Sequence, residues 1–230
     1  MRLISLIPEF VEGIYANQYK PDLATPGRSD LIPWDIDLER QTARLREPIS
    51  KAARLEFPLR PMVGCVGLAA EGETAPPSTI SGAYGGNMDF NEIGEGATVM
   101  LPVYQPGALL FVGDGHAIQG DGQAMGNGLE VSMDLEFVVE LHKRANLAGP
   151  RVETAEYIIS MGSQPEFVSS LDRSLQMATT DMIHWLMDVY NVEPWAAHLL
   201  IGYQGNYRVV TVAGSMALKI PKHYLPPRRE

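Results

Sequence analysis

The segment that decides the predicted fold is the longest stretch of alternating residues in the chain. It reads Leu129-Glu130-Val131-Ser132-Met133-Asp134-Leu135-Glu136-Phe137-Val138-Val139-Glu140-Leu141-His142. Its odd positions are apolar and its even positions are polar, with Val138 as the exception. Because successive side chains of a strand point to opposite faces, this pattern predicts a long, half-buried strand in a largely antiparallel sheet.

The residues before this segment continue the β pattern. The chain holds 22 Gly and 17 Pro, so turns are frequent and short strands are favoured over long helices. Residues 51–150 are therefore predicted to form a β-rich core that carries the site. Further strands are predicted at Arg54–Phe57, Val63–Ala69, Ala97–Tyr104 and Ala108–Gly113.

The residues after this segment change period. Apolar residues recur at helical spacing from about Ser170 to Tyr190, with Ser169 or Ser170 as N-cap and Asn191 as the stop. A second helix is predicted from Pro194 to about Ile201, followed by a hairpin of 207–212 and 216–220. Residues 151–230 thus form a predicted α+β portion. The predicted fold class is a β-rich α+β protein, with mostly antiparallel sheets in a sandwich or barrel-like arrangement.

The N-terminal residues 1–50 carry a weaker pattern. Five prolines interrupt them, and only 34–38 and 43–45 alternate as short strands do. We expect an irregular segment that packs on the core.

Composition excludes several classes of protein. With 230 residues, 45% apolar and 20% charged, the chain is neither disordered, collagen-like nor a long coiled coil. A single Cys excludes a disulfide framework within the chain. No run of 18 apolar residues predicts a membrane span, and Pro8 and nearby acids interrupt any secretory signal. We expect a cytoplasmic protein with no membrane partner.

The acidic charge is concentrated in one block. Residues 61–142 hold eleven Asp and Glu and no Lys or Arg, while the whole chain has a net charge of −10. Such carboxylates are solvated, paired with distant bases or bound to a cation. A solvated acidic face and a divalent metal site both remain open. Nucleic acid is the least expected partner.

The densest site-like stretch lies inside this block. It reads Gly113-Asp114-Gly115-His116-Ala117-Ile118-Gln119-Gly120-Asp121-Gly122-Gln123. Carboxylates and imidazole suit Zn²⁺, Mn²⁺ or Ca²⁺, and Asp114 and His116 share a face if they lie on a strand. The alternative is a pair of Asp-Gly hairpin turns. A second stretch, Gly82–Asp89, offers Asn87 and Asp89, or only a glycine turn.

Several catalytic motifs are missing from the sequence. It has no Gly-x-Ser-x-Gly elbow, no phosphate-binding loop and no His-Glu-x-x-His. Cys65 lies in an apolar stretch with no base nearby in sequence, so we interpret it as a core residue.

An ordered series of motifs resembles the acetamidase/formamidase family. It comprises Gly85-Gly86-Asn87-Met88-Asp89, Leu101-Pro102-Val103, Pro106-Gly107-Ala108-Leu109 and the stretch from Gly113 to Gly122. Asp181–Leu186, Ala196–Leu200 and Ile220–Lys222 resemble the family's C-terminal part. The resemblance covers about Trp34 to Tyr224 and implies hydrolysis of short aliphatic amides, homo-oligomers and a divalent metal such as zinc.

The resemblance and the residues together suggest roles. Amide hydrolysis needs a nucleophile, and water activated by a divalent ion supplies one where no Ser or Cys arrangement exists. The hypothesis is that His116 holds the ion with Asp89, Asp114 or Asp121. Glu130 is then a general base or a further ligand, and Asn87 or turn amides stabilise the oxyanion. A small neutral amide needs no Lys or Arg.

Two departures from the family pattern keep other functions open. Gln123 stands where the family often has Glu, and a further N-terminal β-rich, His-rich segment is not found here. A partner chain is one candidate for supplying that N-terminal segment. The alternatives are a non-catalytic, metal-stabilised structural subunit and a β-rich module that binds a small neutral ligand.

Overall fold

The computed structural model describes residues 33–46, 55–73, 75–124, 127–143, 145–163 and 170–229. Its strands are β1 (Trp34–Asp37), β2 (Thr42–Leu45), β3 (Glu56–Pro58), β4 (Met62–Gly67), β5 (Ser81–Gly82), β6 (Gly85–Asn87), β7 (Thr98–Met100), β8 (Phe111–His116), β9 (Arg151–Glu153), β10 (Tyr157–Ser163), β11 (Asn206–Thr211) and β12 (Ser215–Pro221). Its α-helices are α1 (Leu171–Tyr190) and α2 (Pro194–Gln204), and a one-turn 3₁₀-helix spans Lys222–Tyr224.

The described strands form three antiparallel sheets. A small sheet has the order β1-β2-β3, a four-stranded sheet the order β5-β6-β4-β8, and a five-stranded sheet the order β11-β12-β10-β9-β7. Every paired strand in them runs antiparallel to its neighbour. The predicted β-rich α+β fold with mostly antiparallel sheets is confirmed.

The main core lies between the four-stranded and five-stranded sheets. Its buried members come from both sheets and from the loop after β6: Val63, Met88, Phe90, Ile93, Val152, Ile159, Met161, Val210 and Ala217. A second core lies on the other face of the five-stranded sheet, where α1 and α2 pack on β10 and β12. Because both faces of β10 and β12 are covered, buried residues follow one another along these strands without alternation.

Local signals place α1 and α2 where the sequence predicts them. The Ser170 side chain accepts a hydrogen bond from the Arg173 backbone N–H, and Asn191 ends α1 in the left-handed conformation. Ser169, the alternative cap, lies outside the described residues. Pro194 opens α2, which ends three residues later than predicted, at Gln204. Strands β11 and β12 confirm the predicted hairpin.

A glycine allows α1 to lie against β10. A Cβ on Gly162 would stand 1.9 Å from the Ser174 carbonyl oxygen. The close contact lets Ser160 donate to the Ala178 carbonyl of α1 at 2.7 Å. The helix layer is therefore fixed by polar contacts as well as by apolar burial.

The predicted long strand at 129–142 is wrong. Glu130 forms one isolated bridge with His116, and residues 131–142 belong to no strand or helix. The alternation predicts an amphipathic extended segment, but it cannot predict that a neighbouring strand is present in the same chain. Predicted strands Ala97–Tyr104 and Ala108–Gly113 also differ, because only Thr98–Met100 and Phe111–His116 are paired.

The five-stranded sheet draws on two predicted segments. Strand β7 lies in 51–150, while the other four strands lie in 151–230. The three-part division of the chain stays a prediction, and much of 1–50 lies outside the described residues. No helix within the described ranges is both long and apolar enough to cross a membrane.

Candidate functional site

Four side chains from the acidic block meet at the end of β8. His116 is the last residue of β8, and Asp114 lies two positions earlier on the same face. Asp89 follows β6, and Glu130 lies opposite His116 in the isolated bridge. The Gly113-Asp114-Gly115 sequence thus lies within a strand and is not a hairpin turn.

The His116 ring is the centre of this cluster. Its Nε2 atom lies 3.2 Å from Glu130 Oε2, 3.4 Å from Asp114 Oδ1 and 3.9 Å from Asp89 Oδ1. The side chains of His116 and Asp89 are 1% and 3% exposed, whereas those of Asp114 and Glu130 are 33% and 37% exposed. The cluster therefore has a buried side and a side open to solvent.

Backbone geometry brings the two aspartates together. Asp89 and Asp114 have φ angles of 48° and 64°, a region that non-glycine residues seldom occupy and that accumulates at functional sites. A Cβ on Gly64 would lie 2.6 Å from Asp89 Oδ1 and 2.6 Å from Asp114 Oδ2. Both carboxylates therefore contact the backbone of Gly64, where no side chain intervenes. A larger residue at position 64 would displace them.

Two buried polar atoms of the cluster have no hydrogen-bond partner among the described residues. They are Asp89 Oδ1 and His116 Nε2. Buried polar atoms are nearly always hydrogen-bonded, and an unpaired one often marks an unseen ion or water. These two atoms face each other, and both are electron-pair donors when the carboxylate is ionised and the imidazole is neutral.

Gln119 fixes the orientation of His116. Its Nε2 donates to the Asp89 backbone carbonyl at 2.5 Å, so its Oε1 faces His116 Nδ1 at 2.8 Å. An amide oxygen only accepts hydrogen bonds, so Nδ1 carries the hydrogen. In the neutral ring, Nε2 then keeps its lone pair toward the carboxylates. The sequence alone does not predict this role, although Gln119 lies between Gly113 and Gln123 in the site-like stretch.

Asn87 orients the neighbouring aspartate. Its Nδ2 donates to Asp89 Oδ2 at 2.9 Å, which leaves Oδ1 directed at His116. The expected oxyanion role of Asn87 stays a prediction.

Mutual repulsion and burial shift the pKa values in the cluster. Burial, together with the charge of Asp114, raises the pKa of Asp89 to about 7. Burial also raises the pKa of Glu130, and Asp114 adds to this against the opposing effect of His116. Interaction with His116 lowers the pKa of Asp114. Burial lowers the pKa of His116, but the surrounding carboxylates outweigh it and leave that pKa raised.

Cys65 lies near the cluster but is not a thiolate. Burial, with the charges of Asp114 and Asp89, raises the pKa of Cys65 to about 11. A thiol must ionise to act as a nucleophile, so Cys65 does not supply one at neutral pH.

Asp121 lies apart from the cluster. Its carboxylate accepts from Arg208 Nε at 2.6 Å and Nη2 at 2.5 Å, and from Asn91 Nδ2 at 2.9 Å. Arg208 lowers the pKa of Asp121. Basic residues of the C-terminal portion thus pair with part of the acidic block, since Lys219 likewise pairs with Glu92. The structure does not bring Asp121 to His116 as a ligand.

The remaining cluster has the composition of a metal site. One ligand atom each from Asp89, Asp114 and His116 lie within 4.8 Å of one another. Imidazole and carboxylate ligands suit Zn²⁺ and several other divalent ions. Glu130 is close enough to act as a fourth ligand or as a base beside an ion.

Comparison with known proteins identifies relatives of this chain. Residues 47–189, more than half of the chain, match the model of the Acetamidase/Formamidase family. An acetamidase of Yersinia enterocolitica superposes with a TM-score of 0.65 at 28% identity, over 79% of this chain. A predicted acetamidase/formamidase of Thermoanaerobacter tengcongensis gives 0.65 at 31% identity over 78%. An acetamidase of Bacillus halodurans gives 0.61 at 26% identity over 79%.

These solved relatives are longer than this chain. The match covers 55% of the Yersinia enterocolitica protein, 58% of the Thermoanaerobacter tengcongensis protein and 62% of the Bacillus halodurans protein.

Proposed function

Since this chain belongs to the acetamidase/formamidase family, we propose that it hydrolyses short aliphatic amides, such as formamide and acetamide, to the carboxylic acid and ammonia. The observation that carries the proposal is a pair of buried atoms, Asp89 Oδ1 and His116 Nε2, which lie 3.9 Å apart and have no hydrogen-bond partner among the described residues. Buried polar atoms are nearly always paired, so two unpaired atoms side by side support a bound ion or water between them.

A divalent ion fits this arrangement. It would be held by Asp89, Asp114 and His116, and it would offset both the burial and the repulsion from Asp114 that raise the pKa of Asp89. Zinc is the first choice because imidazole with carboxylates is a common zinc set, while manganese and calcium are alternatives. Such an ion supplies a Lewis acid that polarises a carbonyl and makes water nucleophilic near neutral pH.

Glu130 is the proposed general base. It is the most exposed member of the cluster, and its raised pKa brings it closer to neutrality than an ordinary glutamate. Its carboxylate takes a proton from the attacking water as the C–O bond forms. It returns that proton to the amide nitrogen as the C–N bond breaks, so ammonia leaves as a neutral molecule.

The substrate and the assembly are part of the proposal. A small neutral amide requires no cation for binding, in agreement with the lack of Lys and Arg in 61–142. We propose a homo-oligomer on the basis of family membership. A partner chain that supplies the remainder of the relatives' fold is a further candidate.

The test is ammonia release from formamide and acetamide by the purified protein before and after chelation. We expect release that stops on chelation and returns with Zn²⁺, Mn²⁺ or Ca²⁺. Release that is unaffected by complete chelation would contradict a metal-dependent reaction. An ion-binding protein without release would support the structural-subunit alternative, to which Gln123 also points.

The ion-free protein is expected to lose stability as the pH rises from 5 to 7. In this range the folded state keeps a proton on Asp89, whose pKa is about 7, while the unfolded chain has lost it above 3.8. Fewer protons on the unfolded state mean that stability falls with pH. The raised pKa values of His116 and Glu130 act in the same direction, and the lowered pKa of Asp114 acts below this range.

Urea unfolding of chelated protein at pH 5, 6 and 7 measures this effect. Asp89→Asn removes the titrating group, so its midpoint should fall less with pH than that of the unmodified protein. A difference between the two proteins that stays constant over this range would show that Asp89 does not titrate in it.

Gln119→Ala is expected to weaken ion binding about 10–100-fold, because the His116 ring loses the group that fixes its tautomer. Calorimetric titration with Zn²⁺ measures the affinity, and ¹⁵N chemical shifts of the ring report the tautomer. Gln105→Ala is the matched control, since Gln105 donates to Ala70 and Gly72 carbonyls away from the cluster. Unchanged shifts and affinity in Gln119→Ala would contradict the assignment.

A further inference from the structure

We propose that residues 132–142, here called the arm, pair antiparallel with the same arm of a second copy of the chain. The inference rests on the homo-oligomer proposed above and names its contact surface. It does not depend on which reaction the site catalyses.

The arm is anchored at its start and then makes no backbone hydrogen bond within the part of the chain that the structure describes. Glu130 bridges to His116, and the Val131 N–H donates to the Gly115 carbonyl at 2.9 Å. From residue 132 to 142, no backbone hydrogen bond to another described residue is present. These N–H and C=O groups are a template to which another strand can add.

The arm also exposes apolar side chains. Between 45% and 88% of each is accessible in the following five: Leu135, Phe137, Val138, Val139 and Leu141. Four of them occupy alternate positions in the sequence, so they would share one face if the arm paired as a strand. A long exposed segment of this composition associates with other chains unless it is covered, so a partner surface is expected.

The distribution of charge makes the arm complementary to a reversed copy of itself. Its polar face carries Asp134, Glu136 and Glu140, and His142, which lies 3.3 Å from Glu140, is followed by the cationic Lys143. If the two arms paired parallel and in register, each acidic residue would lie beside the same residue of the second chain. Antiparallel pairing instead brings Asp134 and Glu136 of one arm near His142 of the other. The two-fold axis between the arms must pass through a residue and not between two residues, because only then do odd-numbered residues lie opposite odd-numbered residues and the apolar side chains stay on one face.

Among the centres from 137 to 140, one avoids like-charge pairs. When the two-fold axis passes through Val139, Glu136 lies opposite His142 and Glu140 lies opposite Val138. The apolar face then pairs Phe137 with Leu141. Centres at 137, 138 or 140 each set one acid opposite another, which destabilises a sheet. The proposed contact is therefore isologous and centred on Val139.

The paired arms need a covered apolar face, because an isolated two-stranded ribbon is only marginally stable. The exposed Leu109 and Leu110 come just before β8, and the exposed Phe111 is its first residue; the arm begins beside this strand. We expect the ribbon to rest on these side chains.

Cysteine cross-linking tests the register. Opposed residues of an antiparallel pair have Cα atoms about 4.5–5.5 Å apart, within the span of a disulfide. Val139→Cys should therefore form a disulfide-linked dimer under mild oxidation. Phe137→Cys is the matched control, since its copies would lie about 13 Å apart and should not link. The unmodified protein, with Cys65 alone, controls for other links. Equal linking of both variants would overturn the register.

Light scattering after gel filtration tests the contact itself. Val139→Asp sets two carboxylates face to face, so its dissociation constant should rise at least about tenfold. Leu38→Asp is the control, because Leu38 is 73% exposed and lies outside the arm. If the protein assembles and both variants keep its mass, the arm proposal is wrong and the homo-oligomer stands. If the unmodified protein is a monomer, both the arm pairing and the homo-oligomer are wrong. If it contains an odd number of chains, the arm pairing alone is wrong.

Discussion

His116→Gln is expected to remove ion binding and to lower ammonia release from formamide at least about a thousandfold. The ring lies at the centre of the cluster, with three carboxylates within 3.9 Å of its Nε2 atom. Lewis-acid stabilisation of the transition state amounts to several kcal/mol, and about 4 kcal/mol corresponds to a thousandfold in rate. Glutamine keeps the site polar but places no imidazole lone pair there.

His184→Gln is the matched control, because His184 is an exposed histidine on α1. Circular dichroism should show the same fold for both variants. Full ion content and full ammonia release in His116→Gln would exclude His116 from the site, whatever the effect of the control.

Arg151→Ala is expected to lower the free energy of unfolding by about 3–5 kcal/mol. Arg151 donates to both oxygens of Asp181, at 2.8 and 2.9 Å, and its guanidinium lies 4.7 Å from the centre of the Trp185 ring. Both partners are buried, so the substitution leaves an uncompensated carboxylate between α1 and the five-stranded sheet. Urea unfolding measures the loss.

Two further variants separate the buried charge from ordinary pairing. Arg44→Ala removes an exposed pair with Asp35 and should cost about 1 kcal/mol or less. Arg151→Met combined with Asp181→Leu should recover much of the loss, because it removes both charges together. An Arg151→Ala protein as stable as Arg44→Ala would contradict the role assigned to this pair.

Helix boundaries could be predicted because their signals are local. Ser170, Asn191 and Pro194 each act within one turn of the helix that they begin or end. The strand predicted at 129–142 failed because pairing depends on a neighbour that the segment itself does not encode. Among the described residues, β8 pairs with β4 on one side and contacts the backbone of Glu130 and Val131 on the other.

The site could be predicted in part for a similar reason. Asp114 and His116 share a face of one strand, so their spacing is informative. Asp121 is seven residues from Asp114, and no local rule decides whether it turns toward His116 or toward Arg208, which lies 87 residues farther along the chain. The orientation of Gln119 toward His116 depends on a hydrogen bond to the Asp89 carbonyl, 30 residues away.

The most direct test of the central claim is a titration of chelated protein with Zn²⁺, in which bound ion and ammonia release are measured in the same samples. We expect both to rise together and to level off at one ion per chain in the unmodified protein, and neither to rise in His116→Gln. Ammonia release at full rate with no ion bound, or equal ion binding by His116→Gln, would contradict it.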